Sequence, residues 1–380
     1  MARQSPYLIT NYGKDLRLFG SSWKRAGLLL LAALFVVLPL QLDDFWLSLL
    51  ATVGVYAIGA VGLNLLTGYA GQVSLGHAFF FGVGAYCAAW FGGGNAVGTR
   101  DEILFLDLPM IVWLPLAGLI GAALGALVGP VALRLSGQYL AIVSIGLLFV
   151  GDWILLGWVS ATNGSQGLRI AAEPSIGPVN FSDLNIFGSA FSPEQGEFWF
   201  VWALVALVAL LAKNIVRSRP GRALQAIRDR DVAAEIIGVN PARAKIGVFA
   251  LSSGIAAVAG GIYGMIVVRT ITPEIFTGFG GLVTSITFIA IIIVGGISTI
   301  SGAIVGSLVV VTLRQVTSRF VDLLPFLKQT PNDDGLMLVG QFNLIVFGLL
   351  IIIFLLAEPL GLIALWRRVT TYFKAWPFSY

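Results

Sequence analysis

The sequence predicts an all-α polytopic membrane protein of about ten transmembrane helices, with both termini in the cytoplasm. Of its 380 residues, 57% are hydrophobic and only 11% are charged, and the hydrophobic residues are gathered into long runs. A soluble globular protein carries about 25% charged residues, so this chain has too few of them to cover a water-exposed surface. The single cysteine excludes a disulfide-stabilised secreted fold.

Ten apolar runs have roughly the length, about 20 residues, with which a helix crosses a hydrocarbon core of about 30 Å. In chain order the runs are Ala26–Leu42, Trp46–Leu66, Val73–Phe91, Leu108–Leu133, Tyr139–Val159, Phe198–Val216, Ile246–Val268, Leu282–Ile297, Gly302–Thr317 and Gly340–Ala357. Transmembrane strands alternate apolar and polar residues. These runs do not alternate, so we predict that all of them are helices.

The boundaries of the runs support the division into ten. The first run ends without a signal-peptidase cleavage site, so we expect it to remain as a helix. A glycine-rich junction separates the second run from the third, and Gly295 with Gly296 separates the eighth from the ninth. In the fourth run Gly121, Gly125 and Gly129 recur at every fourth position, a spacing that predicts close packing against another helix.

The distribution of charge predicts the orientation, because positive residues near helix ends stay on the cytoplasmic side. Fifteen of the 23 basic residues lie in residues 1–25, in the connection 217–245 and in the tail 358–380. Acidic residues gather in the other connections, including residues 160–197. Ten crossings place the three basic segments on one face, flanking a transmembrane domain of residues 26–357. Topology therefore explains the basic clusters, and nucleic-acid binding is not favoured.

The connection 217–245 has the clearest local pattern in the chain. Ser218 with Pro220 is typical of a helix start, and Asp231 is predicted to cap a short helix, 232–237, that ends at Gly238. Asn240 then precedes the helix of the seventh run. The short helix is predicted to present a compact knob to a groove on a partner protein, and this knob comprises Ala233, Ala234, Ile236 and Ile237 with Glu235 at its edge. The alternative is an amphipathic loop lying on the lipid surface.

Two segments resemble a known family. Ala233-Ala234-Glu235 with Gly238, preceded by Arg228, resembles the coupling loop of ABC importer permeases, which docks into the ATPase subunit. The segment Gly62–Tyr86 resembles the hallmark segment of LivM-type permeases of branched-chain amino acid importers. The resemblance implies that the coupling residues are Arg228, Asp231, Ala233, Ala234, Glu235 and Gly238.

The resemblance also implies a function and a set of partners. The chain would be the permease subunit of an ABC importer in a bacterial inner membrane, carrying branched-chain or related amino acids. Its partners would be a second homologous permease, two cytoplasmic ATPases and an extracytoplasmic binding protein. The alternatives are a permease for urea or short amides and an ion-coupled secondary transporter.

Enzyme activity of the chain itself is not predicted. The sequence contains no Gly-x-x-x-x-Gly-Lys-Ser/Thr phosphate loop, so ATP hydrolysis would reside in partner subunits. With one histidine and one cysteine, no Cys/His metal site can be assembled, and no cofactor is expected.

Polar residues inside apolar runs mark candidate pathway positions, because such groups usually face a cavity or a partner helix. The gate candidates surround the junction between the second and third runs, together with one acid of the fifth run, and they are Asn64, Tyr69, Gln72, Ser74, His77 and Asp152. The alternatives are a tight cytoplasmic turn with His77 as an ordinary interhelical hydrogen-bonding residue, and an Asp152 that is bonded to a neighbouring helix or wetted at the outer interface.

An internal similarity suggests an inverted repeat. Residues 67–74 resemble residues 277–284, and each segment precedes an apolar run. Those runs are the third and the eighth, so the two halves of the chain are predicted to be related by a two-fold axis in the membrane plane.

Overall fold

All ten apolar runs contain helices in the computed structural model, which describes residues 22–96, 105–134, 138–186, 189–319, 327–328, 337–358 and 361–375. Most of the predicted N-terminal segment lies outside these residues. The ten helices are α1 Ser22–Val37, α2 Asp44–Leu63, α3 His77–Gly92, α4 Met110–Arg134, α5 Gln138–Gly157, α6 Pro193–Arg217, α9 Pro241–Ile262, α10 Gly278–Gly295, α11 Ile300–Arg319 and α12 Val339–Ala357. Two short helices, α7 Arg219–Asp229 and α8 Asp231–Ile236, lie between α6 and α9, and α13 Leu362–Ala375 follows α12.

The described residues contain seven helical stretches that are long and apolar enough to cross a membrane. They are Asp44–Tyr69, Met110–Val131, Tyr139–Gly157, Pro193–Arg217, Pro241–Val268, Pro273–Gly295 and Ile300–Thr317. Two further apolar stretches, Leu29–Leu40 and Val339–Phe354, are shorter. The protein is thus a mainly helical, multi-pass membrane protein, and the count of ten crossings stays a prediction.

Helix α2 lies at the centre of the bundle. In an 18-residue apolar window of its stretch Asp44–Tyr69, 94% of the residues are buried inside the protein. It packs against α6, α9 and α11, while α9 also lies along α3 and α4. Lipid is as apolar as a leucine side chain, so helices in a membrane associate through close packing of this kind.

Glycine makes the contact of α9 with α3 and α4 possible. A Cβ atom on Gly84 of α3 would lie 1.7 Å from the Ala257 carbonyl oxygen of α9. On α4, a Cβ atom of Gly121 would lie 2.4 Å from the Cβ of Ala257, and one on Gly125 would meet Ser253. The packing role predicted for the glycines of the fourth run is confirmed at these positions.

Helices α2 and α9 both end in a π-helix. The last turn of the α2 stretch is Asn64–Tyr69, and that of α9 is Tyr263–Val268. Such turns open the regular hydrogen-bond ladder and often lie at functional sites. The similarity of residues 67–74 to residues 277–284 does not extend to backbone structure. The first segment leaves the π-helix as irregular chain, whereas the second forms the start of α10.

Short strands join the connections at the end of the bundle remote from α7 and α8. Strands β1 Gly94–Ala96, β2 Leu168–Ile170 and β7 Thr270–Ile271 form an antiparallel sheet in the order β1-β2-β7. The smaller pairs are β3 Ser175–Ile176 with β4 Val179–Asn180, β5 Asn185–Ile186 with β6 Ser189–Ala190, and β8 Leu327–Lys328 with β9 Met337–Leu338. The sequence does not reveal these strands, because two or three residues carry no detectable alternation.

Candidate coupling segment and the adjoining helix junction

The coupling segment, residues 217–245, begins and ends with the predicted helix signals. Ser218 has an extended backbone and separates α6 from α7, with Pro220 in the first turn of α7. The Asn240 side-chain oxygen accepts a hydrogen bond of 3.1 Å from the Arg243 backbone N–H and so caps α9. Ser218 thus separates α7 from α6, and Asn240 separates α8 from α9.

Asp231 does not have the predicted role of helix cap. It is the first residue of α8, and the extended residue before that helix is Arg230. The Asp231 carboxylate instead accepts a hydrogen bond of 2.6 Å from the Lys245 ammonium, whose side chain is 11% exposed. This ion pair ties α8 to the start of α9 and takes the carboxylate away from the backbone of its own helix.

The end of α8 is as predicted. Gly238 has a φ of +91°, a left-handed conformation that favours glycine, and it follows the last turn of the helix. The Val239 N–H then bonds to the Ala234 carbonyl at 3.0 Å. A glycine-terminated helix of this type satisfies backbone groups that would otherwise lack partners.

The predicted knob has a different composition in the structure. Ile236 and Ile237 are 81% and 75% exposed, and Val232, which sequence analysis did not include, is 72% exposed. Ala233 and Glu235 are also exposed, whereas Ala234 faces inward and is 1% exposed. The inclusion of Ala234 in the exposed surface was therefore wrong. We call Val232, Ile236 and Ile237 the apolar knob.

The helix junction adjoins the coupling segment. It consists of the π-helical end of α2, residues 64–69, and of the turn between α10 and α11, residues 296–299. The Asn64 side chain bridges the two parts: its Nδ2 donates to the Thr299 carbonyl at 2.8 Å, and its Oδ1 accepts from the Ser298 N–H at 2.9 Å. The Ser298 hydroxyl donates to the Gly68 carbonyl at 2.6 Å.

Arg228 connects the coupling segment to this junction. Its guanidinium donates to the Gly68 carbonyl and to the Ser298 hydroxyl. The structure therefore brings together Arg228 and Asn64, which sequence analysis had assigned to two separate sets. No feature of the sequence indicated Ser298 as the residue between them.

The other candidates of the junction are buried. Tyr69 and Ser74 are 8% and 1% exposed. Gln72 is 5% exposed, and neither polar atom of its side chain has a hydrogen-bond partner among the described residues. Gln72 lines a cavity of about 280 Å³ beside Arg228 and Lys245. A buried amide of this kind usually requires a water or another polar partner.

His77 has the structural role of the predicted alternative. It is the first residue of α3, which begins four residues later than predicted, and its Nε2 donates to the Gly59 carbonyl at 3.0 Å. Its ring packs edge-on against Phe288, with the ring centres 5.2 Å apart. His77 thus joins α2, α3 and α10 rather than facing an open space.

Asp152 lies apart from the junction. Its carboxylate accepts a hydrogen bond of 2.7 Å from the Thr277 hydroxyl, at the end of the bundle remote from the coupling segment. This contact joins α5 to the start of α10 and matches the predicted alternative of a bond to a neighbouring helix.

A larger cavity, of about 700 Å³, lies toward the end of the bundle remote from the coupling segment. We call it the far cavity. Helices α2, α9, α10, α11 and α12 line it, with Tyr56, Thr287, Arg314, Gln341 and Asn343 among the polar contributors. This cavity was not predicted, although Arg314 inside the ninth apolar run was a signal for it. Within the part of the chain that the structure describes, no group of three His, Cys, Asp or Glu residues could hold a metal ion.

Comparison with known proteins places these features in context. Residues 45–355 match the model of a family described as the branched-chain amino acid transport system permease component. The chain is 26% identical to the Escherichia coli high-affinity branched-chain amino acid transport system permease protein LivM, over 90% of this chain and 75% of that protein. It is 27% identical to the Salmonella typhimurium permease protein LivH of such a system, over 70% of this chain and 82% of that protein. No solved structure matches the chain significantly.

Proposed function

The chain belongs to the family of permease components of branched-chain amino acid transport systems, and we propose that it is the transmembrane permease subunit of an ABC importer. It would carry branched-chain or related amino acids across a bacterial inner membrane, driven by ATP hydrolysis on separate subunits. The apolar knob carries this proposal beyond family membership. Three large apolar side chains on α8 and at its end are exposed to 72%, 75% and 81%, which favours burial against a partner, and Arg228 in the last turn of the preceding helix α7 bonds to the bundle.

The knob is proposed to dock into a groove on a cytoplasmic ATPase. An exposed apolar cluster with a charged rim is typical of a protein interaction surface. The rim includes Glu235 and Arg230, and the cluster projects from the end of the bundle that carries the basic connection. The excess of Arg and Lys in residues 217–245 supports a cytoplasmic position for that end.

Two further partners follow from the family. The chain is similar both to LivM and to LivH, which supports a pairing of two homologous permeases. An extracytoplasmic binding protein would deliver substrate to the opposite end, where the small sheet joins the connections. The far cavity, which apolar side chains and a few polar groups such as Arg314 line together, would provide space near that end for a zwitterion with an apolar side chain.

Reconstitution tests the proposal. The purified chain is placed in liposomes with a second permease, the ATPases and a leucine-loaded binding protein. Leucine uptake is expected only when ATP is enclosed in the liposomes, on the side of the membrane to which the ATPases are bound. Uptake that needs an ion gradient and no ATP would overturn the proposal in favour of a secondary transporter. Competition with urea and short amides on the binding protein distinguishes the substrate classes.

A further inference from the structure

Arg228 stands at the contact between the coupling segment and the transmembrane helices. It lies in the last turn of α7, three residues before the start of α8. Its guanidinium leaves the coupling segment and bonds to Gly68 and Ser298. These two residues belong to elements far apart in sequence, the end of α2 and the turn between α10 and α11.

We propose that Arg228 is the positioning residue through which movement of α8 reaches the inner ends of α2, α10 and α11. This inference rests on the proposed function, because it assumes that an ATPase moves α8. It goes beyond that function by naming Arg228 as the residue that transmits the movement, and the Gly68 carbonyl and the Ser298 hydroxyl as the groups on which Arg228 acts.

The acceptors suit an arginine. The last carbonyls of a helix lack partners within the helix and carry partial negative charge. The Gly68 carbonyl is one of them, and a single terminal nitrogen of the Arg228 guanidinium, Nη1, donates both to it and to the Ser298 hydroxyl. The ammonium of lysine is more strongly hydrated than a guanidinium, so Lys at position 228 would hold the two acceptors less firmly together.

Glycines allow the close approach of the two elements. A Cβ atom on Gly68 would lie 2.7 Å from the Ser298 nitrogen. Gly71 has a φ of +71°, and a Cβ atom there would lie 3.2 Å from Cγ of Arg228. The aliphatic part of the Arg228 side chain therefore packs against the backbone of Gly71. The glycines of this junction leave room for Arg228 and for the turn that contains Ser298.

The link is stiff on both sides of Arg228. Toward the knob, Arg230 joins the two short helices: its N–H donates to the Ala226 carbonyl of α7, and its carbonyl accepts from the Ala234 N–H of α8, both at 3.0 Å. Toward the bundle, Asn64 bonds to both Ser298 and Thr299. A shift of α8 is thus transmitted to Arg228 on one side and from Ser298 to α2 on the other.

The test is the number of leucine molecules imported per ATP hydrolysed, measured in the reconstituted importer for the wild type, Arg228→Ala and Arg228→Lys. For Arg228→Ala we expect this ratio to fall about tenfold, within the range of roughly 5- to 150-fold usual for coupling between sites. ATPase binding and ATP hydrolysis are expected to remain, and Arg228→Lys to lie between the two. Arg219→Ala is the matched control, since Arg219 is exposed at the other end of α7.

Ser298→Ala provides a second, independent measurement. If Arg228 acts through Ser298, the double variant Arg228→Ala/Ser298→Ala imports no less leucine per ATP than Arg228→Ala alone. An unchanged ratio in Arg228→Ala would overturn the inference. So would a parallel loss of ATPase binding, an equal loss in Arg219→Ala, or strictly additive effects. A wild-type importer without ATP-driven uptake would instead contradict the proposed function.

Discussion

At the scale of single residues, the helix junction depends on close approach. Asn64, Gly68 and Ser298 meet through side-chain and backbone groups of two elements, and Ser298 has a φ of +64°. Such a conformation is uncommon outside glycine. It is maintained here by the hydrogen bonds on both sides of the residue.

Gly68→Ala is expected to destabilise the protein. The added methyl group would lie 2.1 Å from Oδ1 of Asn64 and 2.7 Å from the Ser298 nitrogen, so the junction must open. Overpacking of this kind costs about 1–3 kcal/mol, and the thermal unfolding temperature of the detergent-solubilised protein should fall. Gly146→Ala is the control, because a Cβ atom at position 146 meets nothing within 4 Å. Equal stability of the two variants would contradict the close contact.

Asp152→Asn is expected to leave ATP-driven leucine uptake within about twofold of the wild type, because the substitution removes the charge but keeps a hydrogen-bond acceptor. The asparagine oxygen can still accept the 2.7 Å bond from Thr277. The measurement is the initial rate of uptake in proteoliposomes. Loss of uptake in Asp152→Asn with retained uptake in a Thr277→Val control would show that the charge itself is required.

At the scale of the element, helix α8 has one side packed against the protein and another side that is apolar and exposed. Ala234 packs inward at 1% exposure, while Ile236 on the same helix is 81% exposed. Substitutions on the exposed side should therefore affect partner binding without affecting the fold.

Ile236→Glu is expected to abolish recovery of the ATPases with the permease while leaving its unfolding temperature unchanged. A charge in a dry interface has to be desolvated without a partner, which is costly. The measurement is co-purification from membranes. Ile176→Glu is the control, since Ile176 is 44% exposed on β3, in the connections that carry the small sheet. Normal ATPase recovery with Ile236→Glu would exclude the knob as the docking surface.

At the scale of the whole molecule, the structure has a helical bundle with two unlike ends. One end carries α7, α8 and the basic connection, and the other carries the small sheet and the Glu197–Arg269 ion pair of 2.9 Å. The π-helical ends of α2 and α9 lie at these two ends, one at each. The inverted repeat remains a prediction: the opposite positions of the two π-helices are compatible with it, whereas residues 67–74 and 277–284, on whose similarity it rests, differ in backbone structure.

Cysteine labelling tests the orientation. Cys87 is buried at 1% exposure and is the only cysteine, so Cys87→Ser provides a background without thiols. On this background Glu235→Cys should react with a membrane-impermeant maleimide only in permeabilised cells, because the basic connection is predicted to be cytoplasmic. Val179→Cys should react in intact cells. The reverse pattern would place the basic connection outside and contradict the topology.

Much of the fold could be predicted from the sequence, because it depends on local properties of the chain. Long apolar runs are set by the thickness of the bilayer, and all ten predicted runs contain helices. The stops at Ser218, Gly238 and Asn240 were recognisable for the same reason, since capping involves neighbouring residues. The resemblance carried by residues 62–86 and by the coupling segment pointed to the family that the comparisons show.

Contacts between distant residues were decided by the tertiary structure alone. Arg228 and Ser298 are 70 positions apart, and Asn64 lies 234 positions before Ser298. Asp231 pairs with Lys245 instead of capping its helix, and His77 and Asp152 bond to neighbouring helices. A sequence pattern records the solvent and the local backbone preferences of each segment. It does not record which polar groups come into contact when the helices pack. Such contacts, made by Arg228 with Gly68 and Ser298, join the coupling segment to the bundle.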